Sequence, residues 1–166
     1  MMRVEVSRQA SARDPSGVQN AGEDGYRAAL DSAVRSLARR EHSRVELEQK
    51  LRRKGFDRSL VERVLEYVCE HDLQSDSRFV ETYVRSRRDR GYGPIRIRQE
   101  LGQRGIAEDD LEDPLTESAE FWMEIGRRVL TKKFPSAPET RDEWNVQARF
   151  LARRGFPSDL IYRLLG

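Results

Sequence analysis

A six-residue string occurs three times in the chain, each copy 50 residues after the last, and this repeat constrains the fold more than any other feature. Every copy begins with Leu, has Gly in fifth place and ends on a large apolar residue. The copies are Leu51–Phe56, Leu101–Ile106 and Leu151–Phe156. A chain that repeats a unit of this size usually stacks the units to bury a shared core. We therefore predict three stacked units, an architecture typical of extended binding surfaces.

The repeated string has the pattern of a helix ending. Gly55 suits the left-handed position just past a helix, because it has no Cβ to strain. Leu51 and Phe56 then occupy the two positions whose side chains pack together in a Schellman stop. The basic residues before each Gly lie in the last helical turn, where they complement the helix dipole. These basic residues are therefore explained without a ligand.

Apolar residues at helical spacing predict nine helices, three in each unit, and no strand. Ser43 opens a capping box, and Asp57 or Ser59, Asp76 or Ser77, and Asp142 are the candidate caps of later helices. Pro94 suits a first helical position. Pro114 conflicts with the third helix of the second unit, so we expect that helix to be short or kinked. The predicted divisions are a disordered tail over 1–26 and three-helix repeats over 27–74, 75–117 and 118–166.

Composition limits the class of protein. Hydrophobic residues make up 37% of the chain and charged residues 36%, a balance that favours thin stacked layers over one large core. Cys69 is the single cysteine, which excludes an internal disulfide and is compatible with a reducing cytoplasm. No apolar run approaches the roughly 20 residues that span a bilayer. We expect a cytoplasmic protein that does not enter the membrane.

Charge is segregated within the second unit. From Arg85 to Arg104 there are seven basic and two acidic residues, and from Glu108 to Glu117 six acidic and no basic residues. Tyr92, between two glycines, could stack on a base or enter a partner's pocket. The alternative is that these arginines form a solvated face with local ion pairs while Tyr92 covers the helix junction. Lys132 and Lys133, like other basic pairs, lie near the end of a first helix and could extend a basic stripe.

Catalytic and cofactor motifs are not found in the sequence. His42 and His71 are the only histidines, and neither has a companion at metal-ligand spacing. There is no glycine-rich phosphate loop followed by Lys-Ser or Lys-Thr, and no recognisable nucleophile motif. Trp122 and Trp144 are interpreted as core residues of the third unit. We expect a protein without cofactor, metal or enzymatic activity.

The stretch 71–106 closely resembles the RecX family of bacterial regulatory proteins. The motifs that carry the resemblance are Asp76–Val80, Gly91–Pro94 and Ile97–Leu101. Arg40–Ser43 and Arg153–Phe156 also fit, so the resemblance covers about residues 29–166, whereas the tail and the acidic run with Pro114 lie outside it. It implies an all-α fold of three tandem three-helix repeats in an elongated, curved molecule.

The resemblance also implies a function. Such proteins bind the RecA recombinase filament on single-stranded DNA and suppress its recombinase, ATPase and coprotease activities, which would modulate DNA repair and the SOS response. The expected partner is that filament, with weak or indirect contact to the DNA, and we expect a monomer. Candidate contact residues are Arg78, Arg85, Arg87, Arg88, Arg90, Tyr92, Arg96, Arg98, Arg104, Lys132 and Lys133. The alternative is a direct DNA-binding protein that uses a helix pair like a helix-turn-helix.

Overall fold

The structure is a computed structural model that describes residues 15–111 and 115–166, with side chains described from residue 22. Over these ranges the chain is all-α, built of three tandem helical repeats. The elements of repeat 1 are α1 (Pro15–Leu37), α2 (Arg44–Arg53) and α3 (Arg58–Glu70). Those of repeat 2 are α4 (Asp76–Asp89), α5 (Pro94–Gly102) and the 3-10 helix η1 (Glu108–Leu111). Those of repeat 3 are α6 (Ala119–Lys133), α7 (Arg141–Arg154) and α8 (Ser158–Leu165).

The predicted helix stops are confirmed at all three copies. Gly55, Gly105 and Gly155 have φ values of 90°, 78° and 88°. In the first copy the amide of Phe56 donates to Leu51 O at 3.4 Å and that of Gly55 donates to Arg52 O at 3.0 Å, the hydrogen bonds of a Schellman motif. The same pair of bonds recurs in the other two copies. A strictly local pattern therefore fixes where each second helix ends.

Two further stops of the same kind end α3 and α4, outside the repeated string. At the end of α4, Gly91 has a φ of 76° and the Tyr92 amide donates to Arg87 O at 3.0 Å. At the end of α3, Asp72 has a φ of 53° and the Leu73 amide donates to Val68 O at 2.8 Å. Aspartate is one of the few residues that adopt this conformation at low cost. The turn around Gly91 is thus itself a helix stop, a feature that the repeated string predicts only for second helices.

The buried side chains form two cores. One belongs to repeat 1 and is built around Leu47, Leu51 and Val64, which are all fully buried. The other is continuous through repeats 2 and 3, running from Phe79 to Ile161 and including Trp122. Direct hydrogen bonds between repeats join the first to the second and the second to the third. The stack is therefore elongated, with its two C-terminal repeats fused more closely than the first two.

The predicted tail over 1–26 requires a correction at its C-terminal boundary. Residues 1–14 lie outside the described residues, but α1 is already helical from Pro15, so the boundary at 26 is wrong. Tyr26 packs against the core of repeat 1, and its ring lies 5.0 Å from the Arg63 guanidinium. Those contacts stabilise the first helix despite Gly22 and Gly25, whose helix propensity is low.

Three other details of the predicted elements also change. The third helix of repeat 2 is represented, in the described residues, by the 3-10 helix η1, and positions 112–114, which include Pro114, lie outside them. The cap of α4 is Ser75 rather than Asp76 or Ser77, and that of α7 is Thr140 rather than Asp142. In both cases the hydroxyl that accepts a hydrogen bond from the helical amide precedes, in the sequence, the carboxylate that was predicted as the cap. The predicted caps Ser43 and Asp57 and the predicted place of Pro94 at the start of α5 are confirmed.

Candidate functional site

Repeats 2 and 3 meet backbone to backbone at the glycine turn before α5. The amide of Gly93 donates to Arg154 O at 2.8 Å, and the amide of Ile95 donates to Gly155 O at 3.1 Å. A Cβ at Gly93 would overlap the backbone of Gly155 and Phe156, and a Cβ at Gly155 would overlap Arg96. These two glycines are therefore required by the close approach of two backbones. We call this contact the 2–3 joint.

Tyr92 covers the 2–3 joint. Its ring receives guanidinium groups from three arginines, with the Cζ atoms of Arg96, Arg87 and Arg154 at 4.7, 5.2 and 5.4 Å from the ring centroid. Arg154 also donates to the carbonyl oxygens of Arg90 and Gly91 at 2.8 and 3.1 Å. Such cation–π contacts are most favourable when partly shielded from water, as here. The aromatic that the sequence offered as a binding residue is engaged inside the protein.

Glu100 holds the arginines of this cluster together. Its carboxylate accepts from the Tyr83 hydroxyl at 2.8 Å and from Arg96 Nε at 3.0 Å, and it lies 2.8 Å from Arg87 Nε. Burial acts to raise the pKa of Glu100, but those hydrogen bonds and the charges of Arg87 and Arg96 hold the pKa below its ordinary value of 4.5. Burial raises the pKa of Tyr83 above its ordinary 10.0. The carboxylate is thus ionised and committed to the scaffold at neutral pH.

Arg78 and Arg104 belong to the contact between repeats 1 and 2, which we call the 1–2 joint. Arg78 pairs with Glu41 at 3.0 Å and with Asp72 at 2.6 Å. Arg104 Nε lies 3.2 Å from Glu46, and its guanidinium covers the Tyr83 ring at 4.7 Å. Both arginines therefore bridge elements that are distant in sequence.

The 1–2 joint also contains uncharged and backbone contacts. The buried Ser43 hydroxyl donates to Arg104 O at 2.7 Å, and Gln74 donates through Nε2 to His42 O at 3.1 Å. The Arg44 amide donates to Asp76 Oδ1 at 2.8 Å. These bonds fix the angle at which the second repeat continues from the first.

Two more predicted contact residues are paired at the surface. Arg88 pairs with Glu117 at 3.0 Å, and its guanidinium lies 4.9 Å from the Phe121 ring centroid. Arg98 pairs with Glu108, at the start of the acidic run. The basic and acidic segments of repeat 2 thus neutralise each other in part.

The remaining predicted residues are Arg85, Arg90, Lys132 and Lys133, all exposed. In the part of the chain that the structure describes, the side chains of these four make no ion pair. Arg128 Nη2 donates to Arg88 O at 2.9 Å, which places α6 against the end of α4, and Lys132 lies one turn beyond Arg128. We define Arg90, Arg128, Lys132 and Lys133 as the basic edge. Arg85 lies one turn before Arg88 on α4, outside this set.

The structure therefore divides the predicted contact residues into those that have partners within the protein and the four whose side chains make no ion pair in the described part of the chain. Whether either group touches a partner protein stays a prediction. Sequence reasoning missed the interactions of Arg128 and Arg154, which join repeats by donating to backbone carbonyls. The signal that could have found Arg154 is the repeated stop: its third copy ends against the glycine turn of repeat 2. Within residues 15–111 and 115–166 no group of His, Cys, Asp and Glu could hold a metal ion, and no helix could cross a membrane.

Comparison with known proteins identifies relatives of the whole repeat region. Three family models match in order: RecX first three-helix domain at residues 29–67, second at 75–115 and third at 122–165. A regulatory protein RecX from Pseudomonas putida is 48% identical over 138 residues, covering 81% of this chain and 86% of its own. One from Halorhodospira halophila is 46% identical over 135 residues, covering 81% and 84%. The crystal structure of RecX from Lactobacillus salivarius, 24% identical, has the same fold, with a TM-score of 0.73 over 86% of this chain and 95% of that chain.

Proposed function

The chain belongs to the RecX family of regulatory proteins, and from this membership we propose that it binds the RecA recombinase filament on single-stranded DNA. In this proposal it lowers the recombinase, ATPase and coprotease activities of the filament and so modulates DNA repair, recombination and the SOS response. It acts in the cytoplasm as a monomer, without catalysis of its own.

The observation that carries the proposal is the match over all three repeats. The family models cover residues 29–67, 75–115 and 122–165, and several curated relatives are 44% to 48% identical over 81% or more of the chain. The three repeats are therefore common to this chain and its family. An elongated stack of this kind suits a long partner, because many modest contacts spread along it act together.

The basic edge is the surface that we propose for the contact. Its four cations are exposed, and the described part of the chain offers them no carboxylate. A recombinase filament on DNA presents phosphates and acidic side chains, and cations without an internal carboxylate lose least when they pair with such groups. Arg85 flanks this edge without belonging to it and stays a predicted contact residue.

The remaining predicted residues have a different role in this proposal. Arg87, Arg96 and Arg104 are paired with Glu100 or Glu46 and stacked on tyrosines, so contact with a partner would first break those bonds. Their role is to set the angle between repeats and hence the spacing of the exposed cations. Charge reversal at Arg96 is for this reason a poor test of binding, because it would destabilise the 2–3 joint itself.

The decisive experiment compares two triple charge reversals of equal size. The test variant is Arg90→Glu, Lys132→Glu, Lys133→Glu; the control is Arg27→Glu, Arg35→Glu, Arg52→Glu, three exposed positions on repeat 1. We measure inhibition of the DNA-dependent ATPase of the cognate recombinase and co-sedimentation with preassembled filaments. We expect half-inhibition by the test variant to require a protein concentration at least about tenfold higher than that of the parent, because like-charge contacts replace attractive ones. The control should stay near the parent.

Two results would decide against the proposal. The proposed function is wrong if the parent protein leaves ATP hydrolysis unchanged and does not sediment with filaments. The basic edge is not the contact surface if the two triple variants have equal effects. Sequence-selective binding to duplex DNA without any recombinase would instead favour the direct DNA-binding alternative. Circular dichroism of all three proteins checks that the fold is unchanged.

A further inference from the structure

A second basic site lies on the other side of repeat 2, at the 1–2 joint. There the outer face of α2 and the end of α5 form an open pocket of about 440 Å³. Its lining comes mainly from α2 and from the turn before it, and is completed by the end of α5: the residues are Arg40, His42, Val45, Glu46, Gln49, Lys50, Arg53, Gln103 and Arg104. None of these except Arg104 was among the predicted contact residues.

Positive charge in this pocket exceeds negative charge. The lining contains the four cations Arg40, Lys50, Arg53 and Arg104 and a single carboxylate, that of Glu46. Glu46 is already engaged by Arg40 at 2.9 Å and by Arg104 at 3.2 Å. In the described part of the chain, Lys50 and Arg53 have no carboxylate within ion-pair distance. Four positive charges against one negative leave an excess of three.

The helix ends that meet here do not neutralise this excess. A helix C-terminus carries about half a negative elementary charge, and the two ends of α2 and α5 together supply about one. An excess of about two positive charges remains, open to solvent. Helix capping therefore explains why basic residues occur at the end of α2, but it does not explain why so many converge on one pocket.

Burial, and after it this charge, shift the pKa of two titratable groups in the pocket. Burial, and then the neighbouring charges of Lys54, Arg40, Arg39 and Arg53, lower the pKa of Lys50 from its ordinary 10.5. Burial is also the main cause that lowers the pKa of His42 from 6.5, and the charges of Arg40 and Lys50 add to it. An anion bound in the pocket would therefore raise the pKa of both side chains.

We propose that this pocket binds a phosphate group, held by Lys50 and Arg53 with Arg40 and Arg104 at its rim. Phosphate fits better than a carboxylate for two reasons. Its charge of one to two matches the remaining excess, and arginine forks bind its oxygens in pairs. The lining carries no Phe, Tyr or Trp, and the His42 ring is buried, so no exposed ring is offered on which a base could stack and recognition is directed to the phosphate itself.

The inference deepens the proposed function and depends on it only for the source of the phosphate. Two sources share this chemistry: the backbone of the single-stranded DNA in the filament, and a free nucleotide. The pocket lies at the 1–2 joint and most of the basic edge lies on repeat 3, so a DNA strand that met both would run along much of the stack. A free nucleotide would instead occupy the pocket alone.

The two histidines of the chain allow a direct test. His42 lines the pocket, whereas His71 follows α3 and is exposed outside it. We titrate the full chain with inorganic phosphate at constant ionic strength and record the ring signals of both by NMR. We expect a saturable shift of His42 and little change at His71. No shift at His42, or equal shifts at both, would overturn the proposal.

Matched variants identify the side chains. Lys50→Gln with Arg53→Gln removes the two unpaired cations, and Arg35→Gln with Arg52→Gln removes two exposed cations outside the pocket. We expect phosphate affinity to fall at least about fivefold in the first and to stay unchanged in the second. Equal affinities in the two double variants would contradict the assignment. Thermal unfolding monitors the fold of each.

Three further probes distinguish the source: ATP, oligothymidylate and a polyglutamate peptide. If DNA is the source, oligothymidylate binds more tightly than ATP, and the slope of log K against log salt falls by about 1.4 in the Lys50/Arg53 variant. Tighter binding of ATP assigns the site to a nucleotide. Tighter binding of the peptide than of either would overturn the proposal. If the chain inhibits the recombinase but fails these tests, the phosphate site is wrong and the proposed function is unaffected.

Discussion

Replacing Gly93 with Ala should destabilise the protein severely, although the backbone at this position is ordinary. Its φ is −86°, which any residue adopts, so the requirement for glycine comes from the neighbouring repeat. An added Cβ would overlap Gly155 O, Gly155 C and Phe156 N, which are all backbone atoms. Backbone atoms cannot rotate away as a side chain would. The 2–3 joint must therefore open.

The cost follows from what opening removes. Overpacking in a rigid site costs about 1–3 kcal/mol. Two hydrogen bonds across the joint, from the amides of Gly93 and Ile95, are worth about 0.5–1.5 kcal/mol each. Together these terms predict a loss of about 2–6 kcal/mol in the free energy of unfolding. That is a large share of the stability of an ordinary domain.

Urea unfolding followed by tryptophan fluorescence measures this loss, because Trp122 lies in the core shared by repeats 2 and 3. The matched control is Gly102→Ala, at the end of the helix that Gly93 caps. A Cβ added to Gly102 would have no atom within 4 Å, so this replacement should stabilise α5 by about 0.5–1 kcal/mol. The same substitution at the two ends of one short helix thus has opposite signs.

A loss below about 1 kcal/mol in Gly93→Ala would refute the reasoning, because the poorer helix cap of alanine alone would explain it. A loss of the expected size in both Gly93→Ala and Gly102→Ala would also refute it, since a general effect of replacing glycine would then explain both losses. Filament inhibition by Gly93→Ala should weaken together with stability, because the joint fixes the spacing of the exposed cations.

Two further substitutions test the scaffold. Ser43→Ala should cost about 2–3 kcal/mol in the free energy of unfolding, since it removes the cap of α2 and leaves Arg104 O without its buried donor. Ser118→Ala removes only an exposed cap and should cost about 1 kcal/mol. Thermal unfolding compares the two variants, and equal losses would contradict the buried bond. Glu100→Gln should destabilise most at neutral pH: the pKa of Glu100 is lowered in the folded chain, so its contribution is present above pH 4.5 and is lost as pH falls through the folded value. Unfolding at about pH 7 and about pH 3.5 checks this, and a difference from the parent that does not shrink in acid would refute it.

Several features followed from the sequence because their causes are local. A helix stop needs only a Gly, a Leu four residues before it and an apolar residue after it, so all three copies and the all-α repeat were predictable. Caps were predictable to within two residues, because neighbouring hydroxyls and carboxylates compete for the same amide: Ser75 and Thr140 precede the residues that the pattern favoured. The start of α1 was missed because contacts of Tyr26 outweigh its weak local propensity.

The tertiary structure decided which basic residues are committed to the fold. Arg96 donates to Arg153 O across 57 positions of sequence, and Arg154 donates to Arg90 O across 64, and nothing in the local pattern specifies such pairs. Arg87 and Arg90 are equivalent in the sequence, but one is stacked and paired while the other is exposed. The sequence alone determined the repeat, the helices and the family, since each depends on residues close together in the chain. Only the packing of one repeat on the next decided where unpaired charge remains, because ion pairing depends on distance in space.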